Sequence, residues 1–229
     1  MINIIKNAVK KLIFKINYLS NNGERVDLVY KDNIDFKKLD IYQKSHYKRY
    51  EFAQTLLKVG DLCGDFACGT GYGTVMLSQK SSSVFGGDIN GHVIKKIKKR
   101  YSKFNNINFI EVDLLKLNYD NKFDKIISFE TIEHFEEKNI FNLFQIFNKN
   151  LKRGGQLIFS VPYMQERSEN AVKMGFHLTF NIDENKIYKW LADSSFTVNF
   201  CKYQNYQSHL ISNHLKRRDF IIYVATKNN

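Results

Sequence analysis

The chain has 229 residues, 43% of them hydrophobic, which is enough to bury one sizeable core and is typical of a single domain. Its 35 basic and 23 acidic residues give a net charge of +12, which favours anionic partners such as phosphorylated metabolites, nucleic acid or an acidic membrane surface. Three cysteines without a C-x-x-C pair argue against a disulfide framework or a zinc finger. We expect one domain over residues 1–229, with an N-terminal helical extension at 1–45 and a core at 46–229.

The first twenty residues combine apolar positions at helical spacing with lysines. The apolar positions, which form one stripe on a helix, are Ile5, Val9, Leu12, Ile16 and Leu19. Lysines interrupt every apolar run before it reaches the length of a signal peptide or a membrane span, so we expect a cytoplasmic protein. We expect residues 1–20 to pack within the protein or in a homodimer, and we rank binding to an anionic membrane surface last.

From residue 46 onward, strand-like and helix-like segments alternate, as in an α/β sheet with crossover helices. Strands are predicted at 61–66, 83–88, 107–113, 125–130, 155–161, 196–203 and 220–226. Helices are predicted at 46–58, 72–79, 91–104, 137–150 and 183–193. The expected fold class is α/β, a Rossmann-like, seven-stranded, mostly parallel sheet with helices on both faces. Because no clear crossover helix precedes the last strand, we expect it to be antiparallel and to lie at the sheet edge.

The segment DFACGTGYGT, residues 65–74, places Gly69, Gly71 and Gly73 between the first predicted strand and the next helix. Glycines at alternate positions weaken both helix and strand, which indicates that something approaches the main chain closely. A loop at this point is the nucleotide-binding position of a doubly wound sheet. The spacing differs from G-x-G-x-x-G, because Thr74 stands at the third glycine's place, and the Gly-Lys-Ser/Thr ending of a P-loop is absent.

Four segments within residues 46–226 resemble class I S-adenosylmethionine-dependent methyltransferases. They are the loop DFACGTGYG, Asp88 in VFGGDIN, Asp113 in FIEVDLL, and FDKIISFETIEHF followed by LKRGGQLIFSVP. The resemblance implies that S-adenosylmethionine is the cofactor and S-adenosylhomocysteine the product. One departure lies in the first strand, where Cys63 and Gly64 replace the branched aliphatic residues usual in the family, and an interior glycine weakens a strand.

The resemblance also implies a set of cofactor contacts. Asp88 is expected to accept hydrogen bonds from both ribose hydroxyls, as the acid after the second strand does in dinucleotide folds. Arg49 would pair with the methionine carboxylate and Tyr50 would close over the cofactor, or else both belong to an amphipathic helix with Arg49 in solvent and Tyr50 packed. The expected cofactor residues are Arg49, Tyr50, Asp65, Ala67, Cys68, Gly69, Thr70, Gly71, Gly73, Asp88, Ile89, Asp113, Leu114 and Phe129.

The segment FETIEHF follows the fourth predicted strand, at the edge where open α/β sheets bind substrates. His134 is the candidate general base for the proton of an acceptor hydroxyl, with Glu130 and His177 as the other candidate catalytic residues. Some class I methyltransferases use a similar E-x-x-E-H segment and a downstream histidine to bind a divalent ion. That alternative metal set is Glu130, Glu133, His134 and His177. We favour the metal-free interpretation, in which Glu133 and His134 cap the next helix.

Residues 161–182 resemble an acceptor lid in bacterial methyltransferases that act on sugars or other small precursors of surface polysaccharide, such as capsule. The expected acceptor contacts are Tyr163, Arg167, His177 and Phe180. We therefore expect an O-methyltransferase for a small anionic or nucleotide-linked sugar-type precursor, without a nucleic-acid partner. Two alternatives stay open: a metal-dependent methyltransferase for RNA or phenolic hydroxyls, and a non-catalytic adenosylmethionine-binding subunit.

Overall fold

The computed structural model describes residues 25–30, 34–169 and 177–228. The predicted helix of residues 1–20 and residues 170–176 of the predicted lid lie outside these ranges. The strands are β1 (Leu62–Phe66), β2 (Ser83–Asp88), β3 (Ile107–Glu111), β4 (Phe123–Phe129), β5 (Leu151–Pro162), β6 (Phe196–Gln204), β7 (Ile211–Ser212) and β8 (Phe220–Lys227). Across the described ranges they form one eight-stranded sheet in the order β3-β2-β1-β4-β5-β8-β6-β7.

The sheet is mostly parallel, as predicted. Strands β3, β2, β1, β4 and β5 run parallel, and β8 pairs antiparallel with both β5 and β6. The fold class and the antiparallel last strand are confirmed, but two details differ. The described sheet has eight strands instead of seven, because the two-residue β7 carries too short a pattern to detect. The last strand also lies inside the sheet, since β6 covers its outer side.

Helices cover the sheet close to the predicted positions. They are α1 (Ile41–Gln54), α2 (Tyr72–Ser78), α3 (Gly91–Arg100), α4 (Glu137–Asn150) and α5 (Glu184–Asp193). Helix α1 begins before the predicted residue 46, because Asp40 and Gln43 form a capping box in which each side chain accepts the other's backbone N–H, at 2.8 and 3.0 Å. The predicted boundary at residues 45 and 46 therefore falls inside a helix. None of the described helices is long and apolar enough to cross a membrane.

The core lies on both faces of the sheet. Along β4 the buried Ile126 and Ile127 alternate between the two faces, as strand residues do. Ile126 packs in the cluster that contains Phe144 of α4, whereas Ile127 packs in the cluster that contains Ala53 of α1. Full burial of a large apolar side chain stabilises a fold by about 1.5–3 kcal/mol. These two layers hold the strand ends rigidly where the site is built.

The glycine inside β1 has a packing reason. A Cβ atom on Gly64 would lie 2.5 Å from the ring of Phe66, a distance that atoms do not tolerate. The ring of Phe66 is fully buried and stacks on Phe147 of α4. The absence of a side chain at Gly64 thus leaves the space that the Phe66 ring occupies in the core.

Candidate active site

A cavity of about 790 Å³ opens at the carboxyl ends of β1, β2 and β4. Open α/β sheets bind their ligands at this edge. The predicted cofactor residues line this cavity except for Asp65, Gly71 and Gly73, which are not among its described lining residues. The sequence pattern therefore located the cavity correctly, and the three exceptions need a different explanation.

The three loop glycines have different roles. Gly69 has a φ of +53°, and no atom of the described chain lies within 4 Å of where its Cβ would be, so its main chain borders open space. A Cβ on Gly71 would instead lie 3.0 Å from the ring of Phe109, and one on Gly73 would lie 2.0 Å from the ring of Tyr50. The expectation that all three make room for a ligand is corrected: Gly71 and Gly73 make room for aromatic rings of the protein.

Asp65 supports the loop from below. Its carboxylate is fully buried and accepts hydrogen bonds from the Thr74 hydroxyl at 2.6 Å and from the Tyr50 hydroxyl at 3.1 Å. Burial raises the pKa of Asp65 to about 7, although these two hydrogen bonds act in the opposite direction. Asp65 thus joins β1 to α2 and α1 and orients Tyr50, which does line the cavity. It is a positioning residue for the cofactor end of the cavity.

Asp88 stands at the end of β2 with its carboxylate held in place. Oδ2 accepts from the backbone N–H of Gly69 at 3.0 Å, and Oδ1 accepts from that of Asn90 at 2.9 Å. The guanidinium of Arg25 lies 3.5 Å from Oδ1. Arg25 was not predicted, because it precedes every motif in the sequence, yet it lines the same cavity.

Ile89, Asp113 and Leu114 form the next part of the wall. Asp113 accepts a hydrogen bond from the Leu115 N–H at 3.0 Å and so caps a short 3-10 turn, Leu114–Lys116. The Ile89 side chain is 66% exposed at the mouth of the cavity. An apolar side chain left open beside two carboxylates suits a flat ring such as adenine.

Arg49 is buried and already paired. Its Nη1 lies 2.9 Å from Glu130 Oε1, and its Nε donates to Gln204 Oε1 at 2.7 Å. Glu130 has a φ of +51°, a strained conformation for a glutamate, and also accepts from the Ser160 hydroxyl at 2.7 Å. The solvated alternative for Arg49 is wrong. The structure pairs this guanidinium with Glu130, so both residues act as a fixed wall of the cavity.

Glu133, His134 and His177 come together in the lining of the same cavity. One potential ligand atom from each lies within 4.8 Å of the others, and the two imidazole rings are 5.0 Å apart. Glu133 is 1% exposed, and neither of its carboxylate oxygens has a hydrogen-bond partner among the described residues. The alternative metal set is therefore assembled without Glu130, which Arg49 and Ser160 hold elsewhere.

Burial and neighbouring charged groups shift the pKa values of Glu133 and His177 in this cluster. Burial and the negative charge of Glu130 raise the pKa of Glu133 well above its usual range. Burial and the neighbouring His134 lower the pKa of His177 to about 4. His177 Nδ1 lies 2.6 Å from Gln165 Oε1, so Nδ1 carries the proton and Nε2 is the accepting nitrogen, 4.0 Å from Glu133. The cluster thus combines a buried carboxyl group with a neutral imidazole.

The cavity is also lined by residues that sequence reasoning missed. His46 lies beside Arg49, and burial and that charge lower its pKa. Tyr42 comes from α1, while Tyr206 and Arg218 come from the connection between β6 and β8. No local pattern marks them, because they meet only when distant segments fold together.

The predicted acceptor contacts divide into two groups. Tyr163 and His177 line the cavity, and the Tyr163 hydroxyl donates to Glu184 at 3.1 Å. Arg167 and Phe180 do not belong to its described lining, and Arg167 is exposed. The role predicted for these two residues is therefore not supported by their positions.

Residues 64–155 match a family model described as a methyltransferase domain. The chain is 32% identical to malonyl-[acyl-carrier protein] O-methyltransferase 2 of Ilyobacter polytropus over 98 residues. These residues make up 42% of this chain and 37% of that protein. An S-adenosylmethionine-dependent methyltransferase structure from Listeria monocytogenes has a TM-score of 0.63 at 13% identity, covering 80% of this chain and all of the other. N-methyltransferase NodS of Bradyrhizobium japonicum, solved with S-adenosylhomocysteine, has a TM-score of 0.64 at 14% identity, covering 87% and 94%.

Proposed function

We propose that this chain, whose residues 64–155 match a methyltransferase domain family, is a class I S-adenosylmethionine-dependent methyltransferase that transfers a methyl group to a hydroxyl oxygen of a small acceptor. The proposed acceptor is an anionic or nucleotide-linked sugar-type precursor of surface polysaccharide, methylated in the cytoplasm. One observation carries the proposal: a single cavity extends from Gly69 and Asp88 to Glu133, His134 and His177. Residues suited to the cofactor and residues suited to proton transfer therefore share one enclosed space.

The residues at the cofactor end of the cavity suit the chemical groups of adenosylmethionine. The Asp88 carboxylate can accept from ribose hydroxyls, Gly69 leaves the main chain open to the ligand, and Ile89 offers an apolar surface. The loop lacks the Gly-Lys-Ser/Thr ending of a P-loop, and adenosylmethionine carries no phosphate. When bound, adenosylmethionine supplies a methyl group on a positively charged sulfur. The residues of this end bind and orient it toward the acceptor side.

The acceptor end favours a small polar molecule. The whole cavity, which has to hold cofactor and acceptor together, has a volume of about 790 Å³, within the range of about 300–1,000 Å³ that small-molecule sites occupy. Tyr42, Tyr163 and Tyr206 contribute rings with polar tips, which suit a sugar ring. The Arg218 guanidinium lies 4.2 Å from the centre of the Tyr203 ring and 3.9 Å from a carboxylate oxygen of Glu184. Its side chain is 39% exposed, so it can also bind an anionic group of the acceptor.

His134 is the proposed general base. It is the last residue of a 3-10 turn, Ile132–His134, that follows β4, and its backbone N–H donates to the backbone oxygen of Thr131 at 3.1 Å. His134 lines the same cavity as Asp88. In this role His134 removes the proton of the acceptor hydroxyl as the oxygen attacks the methyl carbon, a contribution of about 10²–10⁴-fold to the rate.

A second candidate is a metal-dependent form of the same transfer, acting on RNA or phenolic hydroxyls. The observation that favours it is the Glu133 carboxylate, buried without a partner among the described residues and close to two imidazoles. One carboxylate and two imidazoles suit a divalent cation such as Zn²⁺ or Mn²⁺. In that role Glu133, His134 and His177 would hold the ion, and the ion would lower the pKa of a bound hydroxyl.

The decisive experiment measures release of S-adenosylhomocysteine by the purified protein. The acceptor panel contains nucleotide sugars, sugar phosphates, phenols, short RNA and a malonyl thioester, each with and without EDTA. Turnover of a sugar-type acceptor supports the proposal, and loss of turnover in EDTA that added metal restores favours the second candidate. Binding of adenosylmethionine without turnover of any acceptor would contradict both and support a non-catalytic subunit.

The two roles of His134 separate in one variant pair. We expect His134→Ala to lower kcat by about 10²–10⁴-fold while adenosylmethionine binding is unchanged, with EDTA without effect on the wild type. His214→Ala is the matched control, because His214 is exposed and outside the described lining of the cavity. Full activity of His134→Ala would exclude both the base and the ligand role.

A further inference from the structure

Residues 25–30 lie across the glycine loop and connect it to two helices. The Thr70 hydroxyl donates to Val26 O at 3.0 Å, and the Gln43 side chain of α1 donates to Asp27 O at 2.7 Å. Asp27 also pairs with Arg100 at the end of α3 at 3.0 Å, and Leu28 is buried. We call residues 25–30 the strap. Its anchors hold Arg25 and Val26 in the wall of the cavity, at the end where Asp88 stands.

Arg25 and the ligand need the same carboxylate. An ionised aspartate offers about four acceptor positions, two on each oxygen. On Asp88, the Asn90 N–H takes one position on Oδ1 and the Gly69 N–H takes one on Oδ2. The Arg25 guanidinium lies 3.5 Å from Oδ1, and no hydroxyl oxygen fits between two groups at that distance. Ribose presents two hydroxyls, so a ribose that uses both carboxylate oxygens must displace the guanidinium from Oδ1.

From this geometry we infer that Arg25 competes with the cofactor ribose for Asp88 and is displaced when the cofactor binds. The inference rests on the proposed function, which assigns Asp88 to ribose. It adds a cofactor-site residue 39 positions before the methyltransferase domain match, which begins at residue 64. Displacement does not require the strap to leave, because Thr70, Gln43 and Arg100 hold Val26 and Asp27 independently of Arg25.

The size of the effect follows from the exposure of the pair. The side chains of Arg25 and Asp88 are 18% and 6% exposed, so the pair is partly screened by solvent. Ion pairs with solvent access contribute about 0.2–1 kcal/mol, which corresponds to roughly 1.4- to 5-fold in an equilibrium constant. Removal of Arg25 should therefore tighten cofactor binding by up to about five-fold. The added affinity should become smaller as salt partly screens the pair in the wild type.

The test is calorimetric titration of S-adenosylhomocysteine into the wild type, Arg25→Ala and Arg25→Gln. Arg153→Ala is the matched control, because Arg153 is exposed and lies outside the described lining of the cavity. We expect both Arg25 variants to bind about 1.4- to 5-fold more tightly than wild type at low salt, with a smaller difference at high salt. The control should bind like the wild type throughout.

The 2′-deoxy analogue of S-adenosylhomocysteine gives the second arm. It has a single ribose hydroxyl, for which the open position on Oδ2 suffices, so its affinity should be the same in wild type and Arg25→Ala. Equal or weaker binding of S-adenosylhomocysteine by both Arg25 variants would overturn the competition. If the wild type does not bind S-adenosylhomocysteine at all, the proposed function itself fails. Thermal unfolding of each variant shows that any change in affinity belongs to the folded protein.

Discussion

Replacement of Asp65 should change how the stability of the protein depends on pH. The carboxyl group is fully buried, and its pKa is raised from 3.8 to about 7 by burial. Between these two values the folded protein binds a proton that the unfolded chain has lost, so the free energy of unfolding must fall as pH rises. The stabilisation is complete below about pH 4 and is lost above about pH 7.

The magnitude follows from the two pKa values. Between pH 5 and pH 8, about two pH units lie inside this window, from pH 5 to about pH 7. At 1.36 kcal/mol per pH unit, the free energy of unfolding falls by about 2–3 kcal/mol. An asparagine at this position does not titrate, yet its amide oxygen can still accept from Thr74 or Tyr50. We therefore expect the stability of Asp65→Asn to fall by about 2–3 kcal/mol less than that of the wild type over this range.

Urea unfolding at pH 5, 6, 7 and 8, without ligand, measures this difference. Asp193→Asn serves as the control, because Asp193 is about half exposed and pairs only at the surface with Lys189. Its pH profile should be parallel to that of the wild type. If the profile of Asp65→Asn is also parallel to the wild type, the buried carboxyl group does not change its protonation in this range and the argument from burial is wrong.

Two further substitutions test the cofactor end. Asp88→Ala should weaken adenosylmethionine binding by about 1.5–3 kcal/mol, the range for hydrogen bonds to a charged group, and an unchanged dissociation constant in calorimetry would remove the ribose assignment. Gly73→Ala should lower the free energy of unfolding by about 1–3 kcal/mol, because its Cβ would lie 2.0 Å from the Tyr50 ring. An unchanged free energy of unfolding in Gly73→Ala would show that the Tyr50 ring moves aside without cost and that this argument from packing is wrong.

Sequence reasoning worked best where the signal is local. The strand from Ser83 to Asp88 and the helix from Glu137 to Asn150 have the predicted bounds, because apolar periodicity and turn residues specify each element over a few positions. The glycine loop and Asp88 were found for the same reason: a strand, a bare loop and a helix follow one another along the chain. The sequence alone therefore determined the fold class and the edge of the sheet where the cavity opens.

Tertiary structure decided which groups meet in that cavity. Arg25 reaches Asp88, and Arg49 reaches Glu130 and Gln204, across long separations in sequence that no local pattern records. The same holds for the roles of Gly71 and Gly73, whose missing side chains leave space for Phe109 and Tyr50. A residue type specifies what a position can do chemically, but its partner depends on how distant strands and helices pack, and packing is a property of the whole core.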